Sequence, residues 1–250
     1  MASDLHGCTV LVTGASRGIG RALALGFAEA GADIVAVGRS AADLEALARD
    51  VQQGGRSCQP LIADLMRLET LPNLAREAWS WREKIDALVN AAGILIRKEP
   101  APVTSEEWDE VFGTNTRAPF FLAQELCPLM REAGGGAIVN ITSLAGQKVT
   151  RAPMTYQASK AALIQLTRAL AVRWAPTVRV NAVGPGYIQT HLNEDWLAVS
   201  ENRAYVEGRT PLGRIGQPQD VVGAAIFLAS AEAAFITGQH LLVDGGWSVQ

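Results

Sequence analysis

The segment from Cys8 to Gly31 constrains this 250-residue chain more than any other. It opens on Cys8-Thr9-Val10-Leu11-Val12, an apolar run of the length of a buried strand. Thr13-Gly14-Ala15-Ser16-Arg17-Gly18-Ile19-Gly20 follows, and then RALALGFAEAG, whose apolar residues recur at helical spacing. Strand, glycine turn and helix N-terminus in this order aim backbone N–H groups and a positive dipole end at one point, where a diphosphate binds well. The spacing is G-x-x-x-G-x-G, not the G-x-G-x-x-G of the usual dinucleotide fingerprint. An ordinary tight turn also uses glycine for positive φ, but three glycines between a first strand and a first helix point to a nucleotide site.

Downstream, strand and helix patterns alternate without a linker, a repeat or a low-complexity tract. Strand candidates fall at 32–38, 58–63, 86–92, 137–142, 178–183 and 240–245. Helical segments lie at 41–53, 67–83, 105–133 and 155–174; in the last, Leu163, Leu166 and Leu170 are spaced as packing residues. Such alternation predicts an α/β fold, a Rossmann-type doubly wound parallel sheet flanked by helices and joined by right-handed crossovers. With 48% hydrophobic residues the chain can bury this as one domain over 1–250. Ligands in such sheets bind beyond the carboxyl ends of the strands, the edge on which Gly14, Asp64, Asn90, Ser143 and Pro185 fall. The long excursion at 186–213, with Tyr187, His191, Trp196 and Tyr205, has the length of a substrate lid.

Ser143, Tyr156 and Lys160 form the second informative constellation. Tyr156 and Lys160 are i and i+4 of a helical pattern and share a face. A nearby ammonium favours phenolate and is expected to pull the tyrosine below its reference pKa of about 10, which suits a proton donor and acceptor near neutral pH. A lone Y-x-x-x-K is usually a solvated helix face. Joined to the glycine turn and to Ser143, thirteen residues earlier, it reads as a hydride-transfer site.

The net charge of −3 leaves no electrostatic footprint for nucleic acid or an anionic membrane. No apolar stretch approaches the length of a membrane span, MASDLHG carries no leader pattern, and the cytosol is the expected compartment. Cys8, Cys58 and Cys127 are far apart and lack metal spacing, so reduced structural thiols are expected. His6, His191 and His240 form no ligand cluster, and no metal is expected.

Taken together, these motifs resemble the short-chain dehydrogenase/reductase family over essentially the whole chain. The resemblance takes in the glycine turn, Asp64-Leu65, Asn90-Ala91-Ala92-Gly93, Asn115, Ser143, Tyr156, Lys160, Pro185-Gly186 with Thr190, and Val243-Asp244-Gly245-Gly246. Ala91 stands where many members carry a second asparagine. The family implies an NAD(P)-dependent enzyme acting on CH–OH groups. Tyr156 would exchange a proton with the substrate oxygen, Lys160 would lower its pKa and bond the nicotinamide ribose, and Ser143 would donate to the substrate oxygen. Asn115 would hold a water linking Lys160 to solvent. The implied cofactor contacts are Gly14, Ser16, Arg17, Gly18, Ile19, Gly20, Arg39, Ser40, Asp64, Leu65, Asn90, Ala91, Ala92, Gly93, Tyr156, Lys160, Pro185, Gly186, Ile188 and Thr190. Asp64 would bond the adenine amino group, Asn90 and Gly93 would shape the cleft beside the adenosine ribose, and Thr190 would meet the nicotinamide. A homotetramer built on the helices at 105–133 and 155–174 is the expected assembly.

Cofactor choice turns on Ala36-Val37-Gly38-Arg39-Ser40, which lacks the acid that bonds a ribose 2′-OH. Arg39 and Arg17 suit a 2′-phosphate, so NADP(H) is favoured and NAD(H) stays possible. The stretches at 93–100, 37–40 and 209–230 look like the gluconate 5-dehydrogenase and 2-deoxy-D-gluconate 3-dehydrogenase branch. Arg97 matches a basic position there and suits a carboxylate; a solvated Arg97-Lys98 pair is the alternative. Gln147, Tyr187 and His191 join Arg97, Ser143 and Tyr156 as substrate candidates. A 3-oxoacyl-[acyl-carrier-protein] reductase or a broad-specificity carbonyl reductase shares the same motifs, and a non-catalytic NADP(H)-binding protein is a third class.

Overall fold

Each apolar run becomes a strand of one seven-stranded sheet in the computed structural model, which describes residues 4–97 and 102–250. The strands are β1 (Thr9–Thr13), β2 (Asp33–Gly38), β3 (Cys58–Ile62), β4 (Ala87–Asn90), β5 (Gly136–Ile141), β6 (Val178–Pro185) and β7 (His240–Val243). The order is β3-β2-β1-β4-β5-β6-β7 with every pairing parallel. Parallel neighbours require crossovers, and the helices that make them bury both faces of the sheet. That is why these strands read as continuous apolar runs. Val10, Val12, Ile34 and Ala36 pack on one face beneath α1 (Gly18–Glu29), α2 (Ala41–Gln53) and, from the far end of the chain, Val221, Ala225 and Leu228. Leu11, Val35, Val37 and Leu88 face the other layer.

That second layer holds α3 (Leu71–Ser80), α4 (Ser105–Phe112), α5 (Ala118–Glu132) and α6 (Met154–Trp174). The helix expected at 67–83 is shorter, preceded by one tight turn at Leu68–Thr70. The single helix expected at 105–133 is a second difference, because α4 and α5 are separated by a wide π turn over Gly113–Arg117. The cause lies at Pro119, which has no N–H to donate to the carbonyl four residues back, at Asn115. A π turn at such a place commonly marks a functional position. Beyond β6 come α7 (Glu194–Ala198), α8 (Ser200–Arg209) and α9 (Pro218–Ala229), so the 186–213 excursion is largely helical.

Arg179 on β6 closes the last turn of α9. Its guanidinium donates to Leu228 O at 2.8 Å and to Ser230 O at 2.9 Å, with longer bonds to Ala229 O and Ile236 O. The Leu228 and Ala229 carbonyls end the helix without a partner inside it, and a cation there also meets the negative end of the dipole. Arg179→Met is expected to cost about 2–3 kcal/mol, the scale of hydrogen bonds to a charged group. Urea denaturation checks this, and a change under about 0.5 kcal/mol would mean that the carbonyls find other partners.

Candidate active site

The strand order reverses at β1, which lies between β2 and β4, and a crevice opens at the carboxyl ends there. Its volume is about 640 Å³. Gly14 follows β1, Arg39 follows β2, Asp64 follows β3, Ala91-Ala92-Gly93 follow β4, Ser143 follows β5 and Gly186 follows β6, and all of them line it.

At the glycine turn the backbone itself forms the wall. A Cβ on Gly20 would stand 2.1 Å from Gly14 O, so no side chain fits where the turn folds under the first residues of α1. No side chain caps α1, and its first turn contains no acid. The N-terminal N–H groups are therefore left for an anionic ligand, and the turn fits the diphosphate of a dinucleotide. Thr13 Oγ1 accepts the N–H groups of Ala91 and Ala92 at 3.1 and 3.2 Å, which pins the turn after β4 to the glycine turn. Arg17, Arg39, Ser40 and Asp43 line the same end of the crevice, and among the described residues neither arginine pairs with a carboxylate. Asp43, whose N–H the Ser40 hydroxyl accepts at 3.4 Å as the cap of α2, was not anticipated.

At the other end, Ser143, Tyr156 and Lys160 converge. Gly146 makes this possible: a Cβ there would lie 2.7 Å from the Lys160 carbonyl carbon, so only glycine lets the turn after β5 press against α6. Ser143 Oγ accepts the Ala145 N–H at 3.0 Å and reaches the Tyr156 phenol. Lys160 Nζ sits 5.7 Å from the centre of the Tyr156 ring and donates to Ile141 O at 2.9 Å. The electrostatics differ from the expected pair. Burial lifts the Tyr156 phenol above its ordinary value, and only the Ser143 hydrogen bond works the other way. Burial also pushes the Lys160 ammonium down to about 8. Loss of hydration thus dominates both proton affinities, because a charge in a poorly solvated site forgoes its water shell.

Asn115 sits in the π turn, on the Lys160 side of Gly93. It is fully buried and does not line the crevice. Its Oδ1 accepts the Ile94 N–H at 2.8 Å, and its Nδ2 donates to Ile94 O at 2.9 Å and to Ser159 Oγ at 3.0 Å. With these atoms committed, the amide is a strut between the turn after β4 and α6. Thr116 Oγ1 adds a bond to Ser159 O at 2.9 Å, so the π turn grips α6 one residue before Lys160. Ser159 is a positioning residue the sequence did not single out; Oγ also donates to Tyr156 O.

Asn90 is likewise a strut and not part of the lining. It bonds Asn140, which bonds Thr167 of α6, each at 2.9 Å. Gln147 is turned to the His240 imidazole at 3.0 Å and does not line the crevice either. The other candidates do: Ser16, Gly18, Ile19, Leu65, Pro185, Ile188, Thr190, Arg97, Tyr187 and His191. Of the 93–100 stretch, residues 98–100 lie outside the described residues. Arg97 donates to Arg151 O at 3.0 Å and stacks over Trp196 at 5.0 Å. Trp196 stacks in turn on Tyr187, with ring centres 5.8 Å apart. His191 is set against the glycine turn.

Comparison with known proteins agrees with this architecture. A family model described as "Enoyl-(Acyl carrier protein) reductase" matches residues 14–248. The chain is 40% identical to a 2-dehydro-3-deoxy-D-gluconate 5-dehydrogenase of Pseudoalteromonas atlantica, over 98% of this chain and 97% of the relative. It is 36% identical to the gluconate 5-dehydrogenase of Gluconobacter oxydans, over 98% and 96% of the two chains. Among solved structures, a gluconate 5-dehydrogenase from Burkholderia cenocepacia in complex with NADP and tartrate superposes with a TM-score of 0.93 at 35% identity. That match covers 99% of this chain and 97% of the other.

Proposed function

The chain belongs to the short-chain dehydrogenase/reductase family, and from that membership we propose an NADP-preferring oxidoreductase that interconverts a secondary alcohol and a ketone on a sugar acid. The observation that carries this reading is the meeting of Ser143, Tyr156 and Lys160 in one crevice with an uncapped glycine turn and Arg39. A bound nicotinamide supplies or takes up the hydride. Tyr156 gives its proton to the substrate oxygen in reduction and takes it back in oxidation. Ser143 donates to the same oxygen and stabilises the charge that develops there. Lys160 holds the ribose end and supplies positive charge beside the phenol. Asn115 and Ser159 keep α6 in register with the turn after β4. The 186–213 excursion acts as a lid, the enzyme works as a homotetramer, and the cytosol is its compartment.

Arg39 supports NADP over NAD, because it follows β2 at the place where an acid would bond a 2′-OH. Arg39→Asp is expected to raise KM for NADP at least tenfold while changing that for NAD much less, since it turns an attraction for phosphate into a repulsion. Steady-state assays with both cofactors check this; equal changes would mean that Arg39 faces elsewhere.

The relatives named for gluconate and keto-deoxy-gluconate support a sugar acid, as does Arg97 in the lining. The family model's description favours a second reading, an acyl-carrier-protein reductase. A panel of sugar acids, neutral ketones and an acetoacetyl thioester, assayed with NADP(H), decides between them. Turnover of sugar acids, with KM raised by Arg97→Ala for carboxylates alone, is the expected result. Reduction of only the thioester would replace the first reading with the second.

A further inference from the structure

His191 is an ionisable side chain of the crevice to which the proposed chemistry gives no role. It follows Thr190 in the loop between β6 and α7, and Asn193 staples that loop. Asn193 Oδ1 accepts the Thr190 N–H at 3.0 Å, and its Nδ2 donates to Ile188 O at 2.9 Å. The staple turns the imidazole onto the glycine turn. Nδ1 and Cε1 each lie 3.5 Å from the point where a side chain on Gly18 would begin, beside Thr190 Cγ2 at 3.6 Å. Gly18 has φ +57° and is the first residue of α1, whose N–H groups lack a side-chain cap. Among the described residues neither ring nitrogen has a hydrogen-bond partner.

We infer that His191 is a second, protonation-dependent cation at the diphosphate end of the cofactor crevice, joining Arg17 in holding the anion. The inference rests on the cofactor reading above. The charges that bear on the ring are Arg17, from the glycine turn, and Glu194, from the first turn of α7; its other neighbours, Gly18 and Thr190, are uncharged. Without ligand, partial burial and the Arg17 charge hold the imidazole below its ordinary value, with Glu194 opposing them. The ring is then neutral at pH 7. A diphosphate beside it reverses the balance, because an opposite charge a few ångströms away favours the protonated form. Proton uptake is thereby coupled to cofactor binding, and affinity rises as pH falls.

The test is NADPH binding, followed by its fluorescence, to the wild-type protein and to His191→Gln at pH 8.5 and pH 6. Glutamine keeps the size and polarity of the ring but cannot be charged. The 2′-phosphate itself titrates near pH 6, at about its second pKa, equally in both proteins, so the ratio of the two Kd values is the quantity to read. That ratio should be close to one at pH 8.5 and about tenfold at pH 6, the scale of one charge-assisted hydrogen bond. His191→Arg, a permanent cation, should bind more tightly than wild type at pH 8.5. Adenosine 2′-monophosphate, which lacks the diphosphate, should give a ratio near one at both values. A ratio for NADPH that does not change with pH, or equal sensitivity of the monophosphate, overturns the inference and leaves the cofactor reading intact. Failure of the wild-type protein to bind NADPH at either pH overturns that reading, and the inference with it.

Discussion

Tyr156→Phe is expected to lower turnover by about 10²-fold or more, the scale of general acid–base catalysis, while NADPH still binds. The substitution removes one oxygen from a phenol wedged between Ser143 and the Lys160 side chain and disturbs little packing. The pH dependence follows from the same environment. Burial raises the phenol, so it holds its proton throughout the neutral range and is ready to donate in the direction of reduction. Oxidation needs the deprotonated form, so its rate should still be climbing at the alkaline end of the profile, whereas reduction should change little across the neutral range. Stopped-flow traces of both directions give the profiles. Oxidation already on a plateau at pH 7 would mean that the bound cofactor and substrate bring the phenol far below the value set by burial.

Lys160→Met is expected to separate activity from stability. Turnover should drop at least as far as for Tyr156→Phe, because the positive charge beside the phenol is lost. Stability should rise. Lys160 is 4% exposed, and burial holds its ammonium down to about 8 against an ordinary 10.5. Below pH 8 the side chain is protonated in both folded and unfolded states, and carrying that charge into the fold costs on the order of 3 kcal/mol. Between pH 8 and 10.5 only the unfolded chain keeps the proton, so wild-type stability recovers as pH rises through that window. Methionine avoids the cost but gives up the bond to Ile141 O. A net gain of about 1–2 kcal/mol is expected at pH 7, shrinking by pH 9.5. Urea midpoints at the two pH values measure it, and a loss of stability at pH 7 would show that the ammonium is better solvated than its burial implies.

Much of the crevice could be read from the chain because its elements are local. Gly14, Gly18 and Gly20 announce a turn that backbone geometry alone requires, and the residues after each strand fall on one edge once the sheet is parallel. The three residues that converge near the sheet edge, Ser143, Tyr156 and Lys160, were legible as a pattern for the same reason. Asn115, Asn90 and Gln147 show where that stops. Each is a polar residue beside a site motif, yet each bonds to a partner brought in from elsewhere: Ile94 and Ser159, Asn140, and His240. Periodicity does not reveal whether an amide faces a crevice or a neighbouring element.

The helix boundaries divide in the same way. Helix α2 begins and ends where its pattern predicted, with Ser40 as its cap. The break between α4 and α5 was signalled only by Pro119, and its outcome depended on Asn115 and Thr116 finding Ser159 across the layer. By itself, then, the sequence determined the parallel α/β sheet, its anion-binding turn and the set of reacting side chains, because periodic burial and glycine turns are short-range properties. Only the tertiary structure decided which polar residues serve as struts and which way the Tyr156 and Lys160 proton affinities move. It also decided that His191 lies at the glycine turn. Those outcomes depend on solvent exclusion and on contacts between segments far apart in the chain.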